Sequence, residues 1–358
     1  MARKNYSAVV LVAALAWAGC IGPEPAPSGP VTPTATGDVL VVCEGSLGNG
    51  NSALTKLPAD TAQTAAEDVF YAVNGQQLGD IFQSITPVGN ELALCINNSD
   101  RIYFVNASDY RLQHTIPVAK PRYLAVTGGD RAFVSTLFSN RVFVINTATY
   151  TVTDTAFLPF QNPEGLAYLP HNQLYVAAHD TANNHLYQVG LSQTRLLDSI
   201  FIGRKAPQAV LADKHQNLWV VSGNDPQGVA PALTCLDPRT RTIVAQYDFP
   251  AGKEVIKPCF NEGRDTLYWL SVDYYGGAGQ SGVFRMPISA SALPQTPFVV
   301  SGNLQYFWAL GIQPGTGNVY IGDPKGFTQR GEVLVYSPSG NLIKRWKTGV
   351  GPSSFLFL

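Results

Sequence analysis

Two stretches of twelve residues carry nearly the same letters. The first is RIYFVNASDYRL, from Arg101 to Leu112, and the second is RVFVINTATYTV, from Arg141 to Val152. Each opens with Arg and an apolar run, continues with Asn, and places Tyr four positions after the Asn. Self-similarity at a fixed spacing is the sequence signature of a repeat protein. The length and content of the repeat therefore decide the fold.

The unit recurs along the chain. A short run of apolar or alternating residues that ends in a turn residue has seven copies, which start 40 to 50 residues apart. Besides the two above they are ALTKLP from Ala53, HLYQVG from His185, ALTCLD from Ala232, GVFRMP from Gly282 and EVLVYS from Glu332. A second apolar signature also occurs seven times, as SITPVG (84), YLAVTG (123), GLAYLP (165), AVLADK (209), PCFNEG (258), ALGIQP (309) and SFLFL (354).

Each repeat contains four short strands. Between Pro163 and Ile202 they read PEGLAYL, NQLYVAAH, NHLYQVGL and TRLLDSIFI, rich in β-branched and aromatic residues and separated by turn residues. A sandwich or a solenoid is the alternative for a β-repeat. A four-strand unit of this length favours one blade of a β-propeller. We predict an all-β, seven-bladed β-propeller.

The two ends of the chain predict how the propeller closes. The last residues, SSFLFL (353–358), have the pattern of an innermost strand with no further strand after it. The segments DVLVVC, ALTKLP and EDVFYAV near the start have the patterns of a second, third and fourth strand with no first. Pairing the ends would complete one blade and remove an exposed sheet edge. The predicted propeller domain is 38–358.

Residues 1–19 predict a lipoprotein signal peptide. Arg3 and Lys4 precede AVVLVAALAWAGC, an apolar run too short to cross a bilayer. The letters WAGC, which end at Cys20, resemble a lipobox, in which the Cys carries the lipid, although that motif prefers Leu where Trp17 stands. An ordinary secretory peptide with a chance Cys is the alternative.

Residues 20–37 predict a tether, because their many Pro and Gly residues keep a chain extended. We therefore expect a lipid-anchored protein of the outer membrane. An acidic run after the lipidated Cys accompanies surface export in some Gram-negative lineages, and here only Glu24 is present. The cell surface is favoured, and the periplasmic face stays open.

Composition argues against a polyanionic partner. Charged residues make up 14% of the chain and the formal net charge is −1, so there is no broad basic field for nucleic acid. Besides Cys20 there are four cysteines: Cys43, Cys95, Cys235 and Cys259. An even number outside the cytoplasm allows two disulfides. Their positions inside strand patterns favour buried free thiols instead.

The run VINTATYTVTDTAFLPFQNPEGLAYLPHNQLYVA (144–177) resembles the YVTN-type propeller repeat. The run LGDIFQSITPVGNELALCINNSDRIYFVN (78–106), with PRYLAV after it, resembles the YncE-like outer-membrane lipoproteins of Gram-negative gut bacteria. That group includes the BtuG-like surface propellers, which capture cobalamin and pass it to a TonB-dependent transporter. The resemblance spans 38–358 and implies a binding role without a cofactor. No ligand contact of that group transfers to a particular residue here.

Ligands of propellers meet the face on which the innermost strands begin, at the mouth of the central channel. Aligning the seven innermost strands places one residue of each at this mouth: Gln83, Arg122, Glu164, Gln208, Lys257, Trp308 and Ser353. The mixture of cations, a carboxylate, amides and an indole suits a large, polar, uneven ligand. The alternative is that these side chains only pair across blades and fill the channel, with Arg122 and Glu164 as an ion pair.

The loops between second and third strands share this face and differ in length, which is where specificity is normally encoded. Tyr274 and Tyr275 lie on a Gly-rich loop, and Tyr306 and Trp308 lie on the entry to the next blade. Tyrosines there would offer a flat amphipathic surface to a corrin ring. The alternative is that they cover hydrophobic blade edges.

The sequence lacks a G-x-S-x-G elbow, H-E-x-x-H, paired-Cys metal spacing and a P-loop, so neither an enzyme nor a bound metal is predicted. The predicted function is capture of a small ligand, cobalamin or a related corrinoid, at the propeller mouth. A protein-interaction scaffold of the envelope is the first alternative. A propeller lactonase using His179 or Asp273 is the second, because the fold alone excludes no chemistry.

Overall fold

The computed structural model describes residues 37–170, 173–224, 228–273, 280–302 and 306–358. Within these residues the strands form seven antiparallel sheets, six of four strands and one of three. We number these sheets as blades 1 to 7 from the start of the chain. The predicted all-β, seven-bladed propeller is confirmed.

The strands of blade 1 are β1 (Val39–Cys43), β2 (Ala53–Leu57) and β27 (Pro352–Phe357). Those of blades 2 and 3 are β3 (Phe82–Val88), β4 (Glu91–Ile96), β5 (Arg101–Asn106), β6 (Leu112–Pro117), β7 (Pro121–Gly128), β8 (Arg131–Thr136), β9 (Arg141–Asn146) and β10 (Thr151–Phe157). Those of blades 4 and 5 are β11 (Pro163–Leu169), β12 (Gln173–Ala178), β13 (His185–Gly190), β14 (Leu196–Phe201), β15 (Pro207–Ala212), β16 (Leu218–Ser222), β17 (Ala232–Asp237) and β18 (Thr242–Asp248). Those of blades 6 and 7 are β19 (Glu254–Phe260), β20 (Thr266–Val272), β21 (Gly282–Pro287), β22 (Val299–Val300), β23 (Ala309–Ile312), β24 (Val319–Asp323), β25 (Arg330–Tyr336) and β26 (Leu342–Val350).

The innermost strands form a closed circle around the channel. Strands β3, β7, β11, β15, β19, β23 and β27 contact one another in this order, and β27 contacts β3 again. Blade 1 is completed by both ends of the chain, because β27 pairs with β1 from Val39 opposite Phe357 to Cys43 opposite Pro352. The predicted closure is confirmed.

Blade 1 differs from the prediction in its outermost strand. The segment EDVFYAV does not form a fourth strand; Val69–Asn74 is a helix, α1. Asp68 caps it by accepting from the backbone N–H groups of Phe70 and Tyr71, and Gly75 ends it in the left-handed region at φ 66°. The edge of β2 is covered instead by the preceding segment, since Lys56 and Ala66 exchange backbone hydrogen bonds of 2.9 Å. Within the described ranges no helix has the length and apolarity needed to cross a membrane.

The core lies between blades rather than on one face of each sheet. In one cluster Ile102 and Phe104 of blade 2 pack against Leu124, Val134 and Ile145 of blade 3. Because both faces of an inner sheet are covered, its strands are nearly continuous apolar runs. Each fully buried side chain of this size contributes about 1.5–3 kcal/mol to folding. The outermost strands carry the exposed polar faces of the molecule.

The repeated Asn and Tyr of the two matching stretches form the turn between third and fourth strands. Asn106 accepts backbone hydrogen bonds from Ser108 and Asp109, and Asn146 accepts from Ala148 and Thr149. The tyrosines at the end of the two turns, Tyr110 and Tyr150, have φ values of 60° and 53°. An Asn side chain that bonds its own turn, followed by a left-handed residue, closes the hairpin. The letters recur because blades 2 and 3 use the same turn.

All four cysteines of the propeller are free and buried, as their strand positions indicated. Burial raises the pKa of Cys43 to about 11 and that of Cys95 and Cys235 to about 12. The thiolate is the reactive form. At pH 8 a thiol with a pKa of 11 is ionised to roughly 0.1%.

We therefore expect a thiol reagent at pH 8 to leave Cys43, Cys95, Cys235 and Cys259 unmodified in the native protein and to modify all four after unfolding. The measurement is the number of thiols titrated in a Cys20→Ser variant with and without denaturant. Fewer than four thiols in the unfolded, unreduced protein would reveal a disulfide. A rapid reaction of any thiol in the native state would contradict the burial.

Candidate functional site

The mouth lies on the face where the innermost strands begin. On the same face the loops between second and third strands bond to these strand entries. Asn97 donates its backbone N–H to the Ile81 carbonyl at 2.8 Å, and His179 donates its own to the Asn162 carbonyl at 2.8 Å. The structure thus brings together the strand entries and the loops that the sequence assigned to one face.

Five of the seven innermost strands begin with the same backbone conformation. A residue with positive φ is followed by Pro or Phe and then by the predicted mouth residue. The positive-φ residues are Ile81, Lys120, Asn162, Ala206 and Gly351. A sequence pattern indicates this conformation, because Pro precedes the mouth residue at positions 121, 163, 207 and 352.

The predicted mouth residues also lie at irregularities of strand pairing. The register between innermost and second strand shifts at Gln83, Arg122, Glu164, Gln208, Lys257 and Ser353. A β-bulge of this kind bends the strand and changes the direction of a side chain. All seven residues, including Trp308, are between 0% and 7% exposed. We call these seven residues the floor of the mouth.

Arg122 joins three blades within the floor. Its Nε donates to Glu164 Oε2 of blade 4 at 2.9 Å, and its Nη1 donates to Gln83 Oε1 of blade 2. Gln83 Nε2 in turn donates to the Tyr123 hydroxyl at 3.0 Å. The ion pair suggested by the sequence is therefore present. Its side chains are fully or almost fully buried, so it stiffens the floor.

Lys257 and Trp308 form a second group with a residue that the sequence did not single out. The Lys257 Nζ lies 5.4 Å from the centre of the Trp308 ring, and Trp308 Nε1 donates to Glu44 Oε1 at 3.1 Å. Phe327 and Tyr306 pack edge-on against the indole, with ring centroids 5.5 and 6.4 Å away. Glu44 begins the loop after β1 and is buried, so a cation, an indole and a carboxylate meet where blades 6, 7 and 1 adjoin.

The side chains of Gln208 and Ser353 both donate hydrogen bonds to backbone carbonyls of the propeller. Gln208 Nε2 donates to the Gly223 carbonyl at 3.1 Å, and His179 Nε2 donates to the same oxygen at 3.1 Å. Ser353 Oγ donates to the Val42 carbonyl at 3.3 Å, inside blade 1.

Of the predicted tyrosines, Tyr306 is half-buried, and burial, with the carboxylates of Asp323 and Glu44, raises its pKa. Tyr274 and Tyr275 lie outside the described residues.

A chain of hydrogen bonds runs around the mouth above the floor. Asp80 accepts from the Gly48 N–H at 2.9 Å and from the Asn98 amide, and Lys120 Nζ donates to Asn98 Oδ1 at 2.9 Å. The Leu137 N–H then donates to the Lys120 carbonyl at 2.9 Å. Blades 1, 2 and 3 are linked in this way.

The same chain continues to blade 5. Phe138 donates its backbone N–H to Asn162 Oδ1 at 2.8 Å, and Asn162 Nδ2 donates to the His179 carbonyl at 3.3 Å. His179 reaches the Gly223 carbonyl, as above. We call this series, from Gly48 to Gly223, the belt. The hydrogen bonds of the belt leave its loops few alternative conformations, so these loops are held in place before any ligand arrives.

Among the described residues no three His, Cys, Asp or Glu side chains are grouped closely enough to hold a metal ion. His179, one of the two candidate residues for a lactonase, uses its ring Nε2 for the hydrogen bond to Gly223 in the belt. Asp273, the other, donates its backbone N–H to Ser281 Oγ at 3.0 Å. What the floor offers is hydrogen bonding and an apolar surface in a fixed arrangement.

Comparison with known proteins bears on the fold. Neither a family model nor a curated protein matches the sequence. A quinoprotein alcohol dehydrogenase-like protein from Bacteroides thetaiotaomicron is similar in structure, with 14% identity, a TM-score of 0.67 and coverage of 90% of this chain and 78% of its own.

Two further solved structures are similar. Hydrazine synthase from Kuenenia stuttgartiensis has 16% identity and a TM-score of 0.59 over 75% of this chain and 87% of its own. The WD40 repeats of RRP9 have 13% identity and a TM-score of 0.54 over 75% and 80%. Enzymes and WD40 repeats both occur among these neighbours, so the likeness does not decide between catalysis and binding. At such identities it shows the fold: this chain is a seven-bladed β-propeller.

Proposed function

We propose that the protein is an outer-membrane lipoprotein that captures a small ligand, cobalamin or a related corrinoid, at the mouth of its propeller and passes it to a TonB-dependent transporter. The lipobox-like WAGC, the tether and the resemblance to YncE-like lipoproteins support the setting. The observation that carries the binding role is the belt over a buried floor. A rigid mouth loses little conformational entropy on association, so contacts convert efficiently into affinity.

The chemistry of the mouth suits a corrinoid. Such a ligand has a flat macrocycle surrounded by amide groups, so it needs apolar contact beside many hydrogen-bonding groups. The belt supplies amides, a carboxylate and a lysine within one arc, at Asp80, Asn98 and Lys120. The loops around it differ in length, which gives an uneven outline. A site of this kind orients its ligand through a few polar groups placed on a rigid surface.

The position of the first described residues supports the proposed anchoring. Gly37 donates its backbone N–H to the Leu358 carbonyl at 3.0 Å, and Leu358 donates to Asp38 at 3.0 Å. These residues lie where β27 ends, on the face opposite the mouth. A lipid on Cys20 would therefore hold the propeller by its far face and leave the mouth open to the surroundings.

The test is titration of the purified Cys20→Ser protein with cyanocobalamin, followed by calorimetry and by the visible spectrum of the corrin. We expect one site per chain with a dissociation constant in the micromolar range or below, about −8 kcal/mol or stronger. Haemin, a planar tetrapyrrole without amide groups, is the matched control and should bind more weakly. No heat and no spectral change at micromolar concentrations would remove the corrinoid.

A scaffold role has one observation in its favour. Phe157 and Phe201 end the outermost strands of neighbouring blades 3 and 4 and are 57% and 54% exposed. Exposed aromatic residues at equivalent strand ends of adjacent blades are typical of surfaces that contact other proteins. Co-purification of a TonB-dependent receptor in the absence of any corrinoid, abolished by Phe157→Ala with Phe201→Ala, would support it.

A further inference from the structure

Phe138 differs from the other apolar residues that have a left-handed backbone. It lies in the loop between β8 and β9 with φ 59°, a conformation that disfavours a β-carbon. Five other apolar residues of the described chain share the conformation: Ile81, Tyr110, Tyr150, Ala206 and Phe327. Each of them is buried or half-buried, so packing offsets the strain. The Phe138 side chain is 70% exposed, so in the free protein little packing offsets it.

Neighbouring residues enforce this backbone. The Phe138 N–H donates to Asn162 Oδ1 at 2.8 Å, and the adjacent Leu137 N–H donates to the Lys120 carbonyl at 2.9 Å. On the other side, the Ser139 carbonyl accepts from the Asn162 N–H at 2.7 Å. The loop is therefore tied to the entries of β7 and β11, two residues before Arg122 and Glu164. A strained residue that its surroundings hold in place is characteristic of binding sites.

Polar groups adjoin Phe138 along the belt. Lys120, whose carbonyl holds the loop, places its Nζ 2.9 Å from Asn98 Oδ1 and 3.4 Å from Asp100. The loop that carries Phe138 is joined to Lys120 through the Leu137 N–H. An exposed aromatic ring in the same arc of the belt as an amide and an ammonium group matches a ligand with a flat apolar face and amide groups at its periphery.

We propose that Phe138 is a ligand contact of the mouth, on which the flat face of the bound macrocycle lies, while Lys120 and Asn98 meet its peripheral amides. This inference rests on the proposed function for the identity of the ligand. It assigns the contact to a residue that sequence alignment of the strand entries does not single out. It also explains why an exposed phenylalanine is kept in an unfavourable backbone conformation.

The test compares Phe138→Asn with Phe157→Asn in the Cys20→Ser protein. Asn tolerates the left-handed region, so Phe138→Asn should leave the melting temperature unchanged or raise it by about 2 °C. The same change should weaken cyanocobalamin binding about tenfold or more. Phe157 is an exposed phenylalanine of the same blade in an ordinary strand, and its variant should bind as the parent does. Equal affinity of Phe138→Asn and parent would overturn the proposal.

If the parent protein does not bind cyanocobalamin, the proposed corrinoid ligand is wrong. The ligand contact at Phe138 is then tested with a second probe, the aromatic anion 8-anilinonaphthalene-1-sulfonate. The proposal then expects Phe138→Asn to lose most of the probe's fluorescence gain and Phe157→Asn to keep it. An unchanged gain in Phe138→Asn, or the same loss in both variants, would refute the contact independently of the ligand's identity.

Discussion

Deleting Pro352–Leu358 is expected to abolish the folded monomer. These residues supply β27, which pairs with β1 and closes the circle of innermost strands between β23 and β3. Phe355 and Phe357 also pack on Tyr320 of blade 7, with ring centroids 5.8 and 5.2 Å away. Ladder hydrogen bonds contribute about 1 kcal/mol each, and each of the two phenylalanines, which are half-buried, contributes part of the roughly 1.5–3 kcal/mol of a fully buried one. The combined loss approaches the whole stability of a domain, about 5–15 kcal/mol.

The measurements are circular dichroism melting and size-exclusion chromatography of the truncated protein. The edge of β1 that pairs with β27 would be exposed and should also promote association between chains. Adding the peptide GPSSFLFL, residues 351–358, in excess should restore part of the cooperative transition, and a scrambled peptide should not. Leu342→Thr with Ile343→Thr is the control, because these side chains lie exposed in the outermost strand β26 and should cost little. A truncated monomer that melts like the parent would contradict the role of β27.

The strand order was predictable because it is local, and the closure was predictable because the two ends of the chain carry complementary strands of one repeat. Blades 2 and 3 repeat the same turn, and strands that are buried on both faces are visible as apolar runs. The exception, EDVFYAV, shows the limit of that pattern, since a short apolar run does not distinguish strand from helix. Asp68, within the segment, and Gly75, after it, are the N-cap and C-cap of the helix, and these two residues indicate a helix in the sequence.

The partners within the mouth were less predictable because they join distant parts of the chain. Arg122 and Glu164 occupy the same position in adjacent blades, so their ion pair followed from the repeat. Glu44 meets Trp308 across the closure of the propeller, and no repeat relates the two residues. The exposure of Phe138 depends on how its loop packs, which the strand pattern does not encode.

Replacing Arg122 by Met should destabilise the protein by about 3–5 kcal/mol, because it leaves the Glu164 carboxylate buried without its cation. It also removes the donor to Gln83 and so unlinks blades 2, 3 and 4 at the floor. The matched control is Arg204→Met, since Arg204 pairs with Asp248 at 2.7 Å between blades 4 and 5 but at an exposed position. Exposed pairs contribute about 0–1 kcal/mol.

The decisive comparison is the double variant Arg122→Met with Glu164→Leu, measured by urea denaturation with both single variants. Removing both charges eliminates the uncompensated carboxylate, so the double variant should regain at least half of the stability lost in Arg122→Met. Such a recovery would mean that the pair sets the geometry of the floor more than its stability, and that an apolar floor folds nearly as well. Ligand binding by this stable double variant then reports whether the mouth depends on its buried charges. If instead the double variant is no more stable than Arg122→Met, the cost arises from lost packing at Arg122, and the ion pair is not what holds the three blades together.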